Sequence, residues 1–171
     1  HSTITSDTLY SYQNNYSITG WFYIDDWNYK YGDPKILLLR PDEKNGTLHY
    51  NPLIYFNSVE NNISVAIDCY SSDAASPQTS TKFICKVNNI NLQKWVHLGV
   101  VVNNRTLDIY INGKLTKTCM LPGVPKVNND SNIEVTPGND PNNLDDNAGF
   151  SGYVSKMIFF TTDLTPQQVY D

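Results

Sequence analysis

The sequence predicts an all-β fold of many short antiparallel strands, arranged as a sandwich or a barrel. Runs of alternating apolar and polar residues recur along the 171 residues, and turn-forming clusters separate them. Nowhere does the sequence show sustained helical periodicity. Because 40% of the residues are hydrophobic, a chain of this length can bury a core, and we expect residues 1–171 to form a single domain.

Ten segments follow the strand pattern. Trp95–Val102 is apolar on both faces, which favours a central strand whose second face is also covered. The others are Ser17–Ile24, Lys35–Leu39, His49–Phe56, Ile63–Cys69, Lys82–Val87, Leu107–Ile111, Lys114–Cys119, Asn132–Val135 and Phe150–Thr161.

Local signals predict a hairpin, a β-bulge and a terminal helical turn. Asn112-Gly113 predicts a tight hairpin, because both central residues of a type I′ turn need positive φ. The apolar pattern changes parity between Val154 and Met157, which indicates a β-bulge. Thr165 followed by Pro166 predicts an N-cap and a short C-terminal helical turn.

Charge and composition exclude several partners. The formal net charge is −5 and the lysines are scattered, so we expect no nucleic-acid partner. No apolar run approaches the length of a membrane span, so we expect no direct membrane insertion. Spacing of the cysteines and histidines does not fit a zinc site.

Three segments, in this order along the chain, resemble the laminin-G-like/pentraxin-like pattern of the concanavalin A-like lectin/glucanase superfamily. The first ends in Gly20-Trp21-Phe22, and the last joins Phe150-Ser-Gly-Tyr-Val to Leu164-Thr-Pro. Between them lie Trp95-Val-His97 and Tyr110-Ile-Asn-Gly-Lys. The resemblance implies a two-sheet jelly-roll sandwich, a fold that hosts lectins, protein receptors, hydrolases and structural modules. We expect this chain to bind rather than to catalyse, because it lacks the catalytic motifs described below. In it, Trp21 and Trp95 are expected to pack the sandwich, and His97 to be a core or edge histidine.

The cysteines allow more than one arrangement. Cys69, Cys85 and Cys119 could form one disulfide and leave one thiol, or remain three buried thiols. Cys69 and Cys85 flank a polar loop between consecutive strands, so we expect this pair if a bridge forms.

Catalytic motifs are absent from the sequence. Glucanases of the superfamily resemble one another in a strand with Glu-x-Asp-x-(x)-Glu, which aims two carboxylates at one glycosidic bond. Glu43, Glu60 and Glu134 are the only glutamates, and none lies in such a motif. No Gly-x-Ser-x-Gly nucleophile elbow is present either.

Calcium is the one cofactor for which the sequence offers candidate ligands. Residues 138–147 are rich in the oxygen ligands that calcium requires, and they precede the last strand, roughly where pentraxin-like domains carry an acidic calcium loop. Asp140, Asp145 and Asp146 are the candidate ligands. The same residue types are also ordinary turn formers.

A cluster of aromatic and polar residues directly after the first predicted strand is the candidate ligand-binding site. Rings can stack on sugar faces while carboxylates and amides contact hydroxyls. The candidate residues are Asp25, Asp26, Trp27, Asn28, Tyr29 and Tyr31.

From these features we expect a recognition module for glycans or glycoproteins on an extracellular, cell or virion surface. The alternative is a structural surface, fibre or decoration domain that contacts copies of itself or a neighbouring protein. A glycoside hydrolase is the third and least favoured class.

Overall fold

The fold is all-β with a short C-terminal helix, as predicted. A computed structural model describes residues 2–4, 15–26, 35–44, 47–57, 60–70, 80–123, 133–135, 151–160 and 164–170. The strands in these ranges are β1 (Ser2–Ile4), β2 (Tyr16–Asp26), β3 (Lys35–Lys44), β4 (Thr47–Phe56), β5 (Asn62–Tyr70), β6 (Ser80–Asn88), β7 (Trp95–Asn103), β8 (Thr106–Ile111), β9 (Lys114–Met120), β10 (Ile133–Val135) and β11 (Ser151–Phe160), and the helix is α1 (Pro166–Tyr170).

Two antiparallel sheets form the sandwich. The six-stranded sheet has the order β1-β10-β3-β4-β5-β6, and the five-stranded sheet has the order β11-β2-β7-β8-β9. The predicted two-sheet sandwich is therefore confirmed. Strand β1 is an addition that the sequence had not predicted, and β7 is central to its sheet, as expected.

The main core lies between the two sheets and follows the alternation of the strands. On β2 the inward side chains are Ile18, Phe22 and Ile24, each 1% exposed. Phe22 meets Phe56 of the opposite sheet edge to face, with 5.2 Å between ring centroids. Burial of one such ring contributes about 2–3 kcal/mol, so this alternation sets which face of each strand is buried.

The Asn112-Gly113 hairpin is confirmed. Asn112 has φ 53° and Gly113 has φ 79°, both in the left-handed region. The Asn112 backbone N–H donates to the His97 carbonyl at 2.8 Å, and its side-chain Oδ1 accepts from the His97 N–H at 3.0 Å. The turn therefore also fixes the neighbouring strand β7.

The predicted β-bulge in β11 is confirmed. Ser155 pairs with Trp21 and Ile158 pairs with Thr19, so two residues of β11 face Gly20 alone. Met157 fills the space beside Gly20, because a Cβ on that glycine would lie 1.9 Å from the Met157 sulfur.

The C-terminal helix begins with the predicted cap. The Gln168 N–H donates to Thr165 Oγ1 at 3.3 Å, while the Thr165 N–H donates to Gln168 Oε1 at 2.8 Å. Val169 then packs on Val101 and Tyr110, on the outer face of the five-stranded sheet. The helix therefore covers β7 at its C-terminal end, around Val101.

The predicted end of the second strand at Leu39 is wrong. Strand β3 continues to Lys44, with register shifts that include one between Leu39 and Pro41. Proline, which lacks an N–H, is tolerated at such an irregularity because no regular ladder bond is lost there.

Within this irregular stretch, Arg40 is only 5% exposed. Its Nε donates to the Asn51 carbonyl at 2.5 Å, and its guanidinium lies over the rings of Tyr16 and Phe159. The Tyr16 hydroxyl donates to Asn51 Oδ1 at 2.6 Å. These contacts join the two sheets, so Arg40 has a structural role.

The expected Cys69–Cys85 disulfide is wrong. Cys85 of β6 bonds to Cys119 of β9, with a Cα–Cα distance of 6.2 Å, while Cys69 is a buried free thiol. Cys69 pairs in register with Thr81 on β6, four residues before Cys85, so Cys69 and Cys85 do not face each other. The bond joins strands at one edge of each sheet.

None of the helices in the described ranges is long and apolar enough to cross a membrane.

Candidate functional site

The outer face of the five-stranded sheet exposes aromatic side chains near the start of β7. The helix α1 does not cover this part of the face, because it packs near Val101. Trp21 on β2 is 39% exposed, and Trp95 on β7 is 47% exposed. The expectation that both tryptophans pack the sandwich is therefore wrong. Phe22 and Val96 occupy the inward positions, so their neighbours Trp21 and Trp95 point outward.

Three of these rings form a row across neighbouring strands. Tyr153 of β11 pairs with Tyr23 of β2, which pairs with Trp95 of β7. The ring centroids are 6.0 Å apart for Tyr153 and Tyr23, and 5.7 Å apart for Tyr23 and Trp95. Cross-strand pairs at this spacing support one another, so the row is held in place before any ligand binds.

A second row lies two residues further along the strands. Trp21 pairs with His97, and their rings meet edge to face at 5.0 Å. His97 thus lies on the outer face and not in the core. Burial lowers the pKa of His97 below its ordinary value, so the imidazole is neutral at neutral pH.

We call Trp21, Tyr23, Trp95 and Tyr153 the aromatic surface.

Two shallow depressions lie on the aromatic surface and share Trp95. The first has a volume of about 360 Å³ and is lined by Tyr23, Asp25, Trp95 and Tyr153. The second has a volume of about 320 Å³ and is lined by Trp21, Trp95, Ser155 and Lys156. Among the described residues that line it, each depression thus combines rings with one charged side chain.

The turn before β7 anchors the first depression. Gln93, with φ 54°, donates its backbone N–H to the Ile24 carbonyl at 2.8 Å. Its side-chain Nε2 donates to the Asp25 carbonyl at 3.4 Å. These two bonds hold the end of β2 against the start of β7, where Asp25 and Trp95 line the same depression.

This arrangement suits binding of an amphipathic ligand. Exposed ring faces bind apolar C–H surfaces, and the Asp25 carboxylate accepts hydrogen bonds from hydroxyl groups. In the described part of the chain, no group of three or more His, Cys, Asp and Glu side chains could hold a metal ion.

The sequence identified one of the residues that line these depressions. Asp25 lines the first depression, and the backbone of Asp26 pairs with Ser151 on β11. The remaining predicted ligand-binding residues and the predicted calcium ligands lie outside the described residues and stay predictions: Trp27, Asn28, Tyr29 and Tyr31, and Asp140, Asp145 and Asp146.

Sequence reasoning missed the aromatic surface, although a signal for it was present. Because Phe22 and Ile24 are inward-facing, strict alternation places Trp21, Tyr23 and Asp25 together on the opposite face. The same alternation puts Trp95 and His97 on one face of β7. Alternation therefore places three aromatic residues and a carboxylate on one outer face, although it does not show whether that face is covered.

Two antiparallel sheets packed face to face define the class of this domain as a β-sandwich. The chain belongs to the Concanavalin A-like lectin/glucanases superfamily, through a laminin G family model that matches residues 1–170. No curated protein sequence matches the chain.

Solved structures confirm the fold class. The binding domain of botulinum neurotoxin serotype D matches with a TM-score of 0.64 and 13% identity, covering 94% of this chain and 35% of that one. The serotype G binding domain matches with a TM-score of 0.58 and 18% identity, covering 91% and 35%. The binding domain of neurotoxin DC, solved with rat synaptotagmin II, matches with a TM-score of 0.56 and 15% identity, covering 91% and 34%. The chain thus spans about a third of the length of these structures, and the likeness shows the fold.

Proposed function

We propose that this domain is a non-catalytic, extracellular recognition module that binds glycans or glycoproteins. The observation that carries the proposal is the aromatic surface on the outer face of the five-stranded sheet. The sequence-predicted loop residues Trp27, Asn28, Tyr29 and Tyr31 directly follow β2, whose end borders the first depression, and we propose that they extend the same site.

The exposure of these rings supports binding. Tyr153 is 64% exposed, Trp95 47% and Trp21 39%, while Phe22 and Val96, the inward neighbours of the two tryptophans, are buried. An exposed apolar area of this kind is costly to leave in water and favours a ligand with apolar faces. Pyranose rings have such faces, and their hydroxyls match Asp25 and Ser155 in the two depressions.

The sequence context of the glutamates supports a non-catalytic role. None of Glu43, Glu60 and Glu134 lies in the Glu-x-Asp-x-(x)-Glu strand that aims two carboxylates at one glycosidic bond. Glu60 is exposed and lies 3.9 Å from the ammonium of Lys86.

The disulfide supports the extracellular setting. Disulfides persist in oxidising compartments and are rare where thiols are kept reduced. The Cys85–Cys119 bond joins the two sheets of the folded domain, so the folded domain carries a disulfide that an oxidising compartment would preserve. Burial raises the pKa of the remaining thiol, Cys69, which keeps it unreactive.

Glycan-array binding by the wild-type domain and two variants tests this proposal. Trp95→Ala removes the ring shared by both depressions and should weaken binding about 30-fold or more, the effect of losing a hot spot of about 2 kcal/mol. Leu115→Ala is the matched control, because Leu115 is 53% exposed on β9 of the same sheet and lines neither depression.

The outcomes separate the proposal from its alternative. Loss of glycan binding in Trp95→Ala alone supports the proposal, provided that both variants melt cooperatively. Equal binding by both variants places the binding surface elsewhere. Absence of glycan binding, together with a solution oligomer that Trp95→Ala dissociates, favours the alternative of a structural surface domain.

A further inference from the structure

We infer that the glycan carries an anionic sugar unit, carboxylated or sulfated, over the second depression, with a neutral unit next to it over the first. This inference rests on the proposed function and deepens it by naming the ligand class. It also gives the bound chain a direction, from the Lys156 side to the Asp25 side.

The two depressions carry opposite charges. Asp25 is the charged residue among the described residues that line the first, and Lys156 is the charged residue among those that line the second. His97 lies two strands away from β11, beside Trp21, and burial lowers its pKa, so it adds no positive charge at neutral pH. Among the described residues that line the second depression, the Lys156 ammonium is therefore the charge that a ligand meets, and a carboxylate or sulfate complements it.

The backbone brings Lys156 to this surface by an unusual route. Lys156 has φ 53° and belongs to the bulge of β11, where Met157 turns inward beside Gly20. Ser155 and Lys156 thus both line the outer depression, although consecutive residues of a regular strand point to opposite faces. A positive φ costs a lysine about 1–2 kcal/mol, so the bulge holds this ammonium at the site against a local preference.

The two rows of the aromatic surface are spaced on the scale of one sugar unit. The row of Tyr153, Tyr23 and Trp95 lies two residues from Trp21 along the strands, a distance of about 7 Å. This distance is comparable to the repeat of one pyranose unit, and Trp95 lies between the two positions. An oligosaccharide that follows the strand direction can therefore place one unit in each depression.

Calorimetry with paired probes tests the inference. The first pair is trigalacturonate and its fully methyl-esterified form, which keeps the rings and removes the charge. The second is a sulfated galactan oligosaccharide and its desulfated form. At least one anionic probe should bind about two- to fivefold tighter than its neutral partner, the effect of one solvent-exposed ion pair. The pair that shows the preference distinguishes carboxylate from sulfate.

Four variants assign the preference to Lys156. Lys156→Gln should bring the anionic probe to the affinity of its neutral partner, and Lys156→Arg should keep the preference. Lys156→Gly removes the ammonium and tolerates positive φ, so its loss of preference does not arise from backbone strain at this position. Lys114→Gln on β9 is the control, because it removes a lysine that lines neither depression.

Two results would overturn the inference and leave the proposed function standing. One is equal affinity for the anionic and neutral probes. The other is a preference that persists in both Lys156→Gln and Lys156→Gly. If neither the probes nor the glycan array shows binding, the proposed function fails with it.

Discussion

Removal of the Cys85–Cys119 disulfide should destabilise the domain strongly. The bond joins β6, at one edge of the six-stranded sheet, to β9, at one edge of the five-stranded sheet. Its ends are 34 residues apart in sequence. In the chain-entropy model, closing a loop of this length lowers the entropy of the unfolded chain enough to stabilise the native state by about 4 kcal/mol.

The assay is thermal and urea unfolding of the Cys85→Ala/Cys119→Ala double variant beside the wild type. For a chain of this size, a loss of about 4 kcal/mol lowers the melting temperature by about 8–16 °C. Adding reductant to the wild type should reproduce most of that decrease and should leave the double variant unchanged. The comparison separates the crosslink from the packing of the two sulfurs.

Thiol counting gives an independent result. In unreduced, unfolded wild-type protein, a single thiol should react with an alkylating reagent, and peptide mapping should place it at Cys69. A melting temperature within about 2 °C of the wild type in the double variant would refute the stabilising role of the bond. Three reactive thiols in the unreduced protein would refute the bond itself.

Three further predictions test local features of the fold. Gly113→Val should cost about 1 kcal/mol or more in urea unfolding, because a β-branched residue is strained at φ 79°, and an unchanged midpoint would contradict the turn geometry. Gly20→Ala should lower the free energy of unfolding by about 1–3 kcal/mol, because the added methyl group displaces Met157. If the two residues share one space, the Gly20→Ala/Met157→Ala double variant should lose less stability than the sum of the two single variants. Because burial lowers the pKa of His97 in the folded state, the unfolded chain binds the proton more readily. The stability that neutral His97 contributes is present above about pH 6.5 and is lost as the pH falls through the lower folded pKa. His97→Gln should therefore flatten the fall in melting temperature on acidification. An identical pH profile in the variant and the wild type would contradict this role.

Local chemistry made much of the fold predictable from sequence. Asn112-Gly113 determines a type I′ turn by its own backbone preferences, without reference to distant residues. The parity change between Val154 and Met157 likewise follows from counting along one strand. Each of these features depends on neighbours in sequence, and each is confirmed.

The exposure of the tryptophans could not be predicted in the same way. The run Trp95–Val102 is apolar on both faces, which indicated cover on both sides. Cover on the outer face comes from Val169 of α1, and it reaches Val101 but not Trp95. Which half of a strand is covered depends on where a distant helix packs, and the pattern within the strand does not contain that information.

The disulfide depends on sheet order in a similar way. Cys69 and Cys85 lie on strands that are consecutive in sequence and paired in space, so they were the natural partners. Register places Cys69 beside Thr81, and the sandwich brings Cys85 close to Cys119 from the other sheet. Contacts between sheets follow from the order of strands in both sheets, which alternation alone does not specify.

The most direct test of the account is NMR of the indole N–H groups during titration with an oligosaccharide selected on the glycan array. The chain has three tryptophans, so the signals can be assigned with three Trp→Phe variants. If the aromatic surface is the binding site, the Trp21 and Trp95 signals shift saturably with one common dissociation constant, whether or not the Trp27 signal moves. Saturable binding that leaves both Trp21 and Trp95 unchanged would contradict the account.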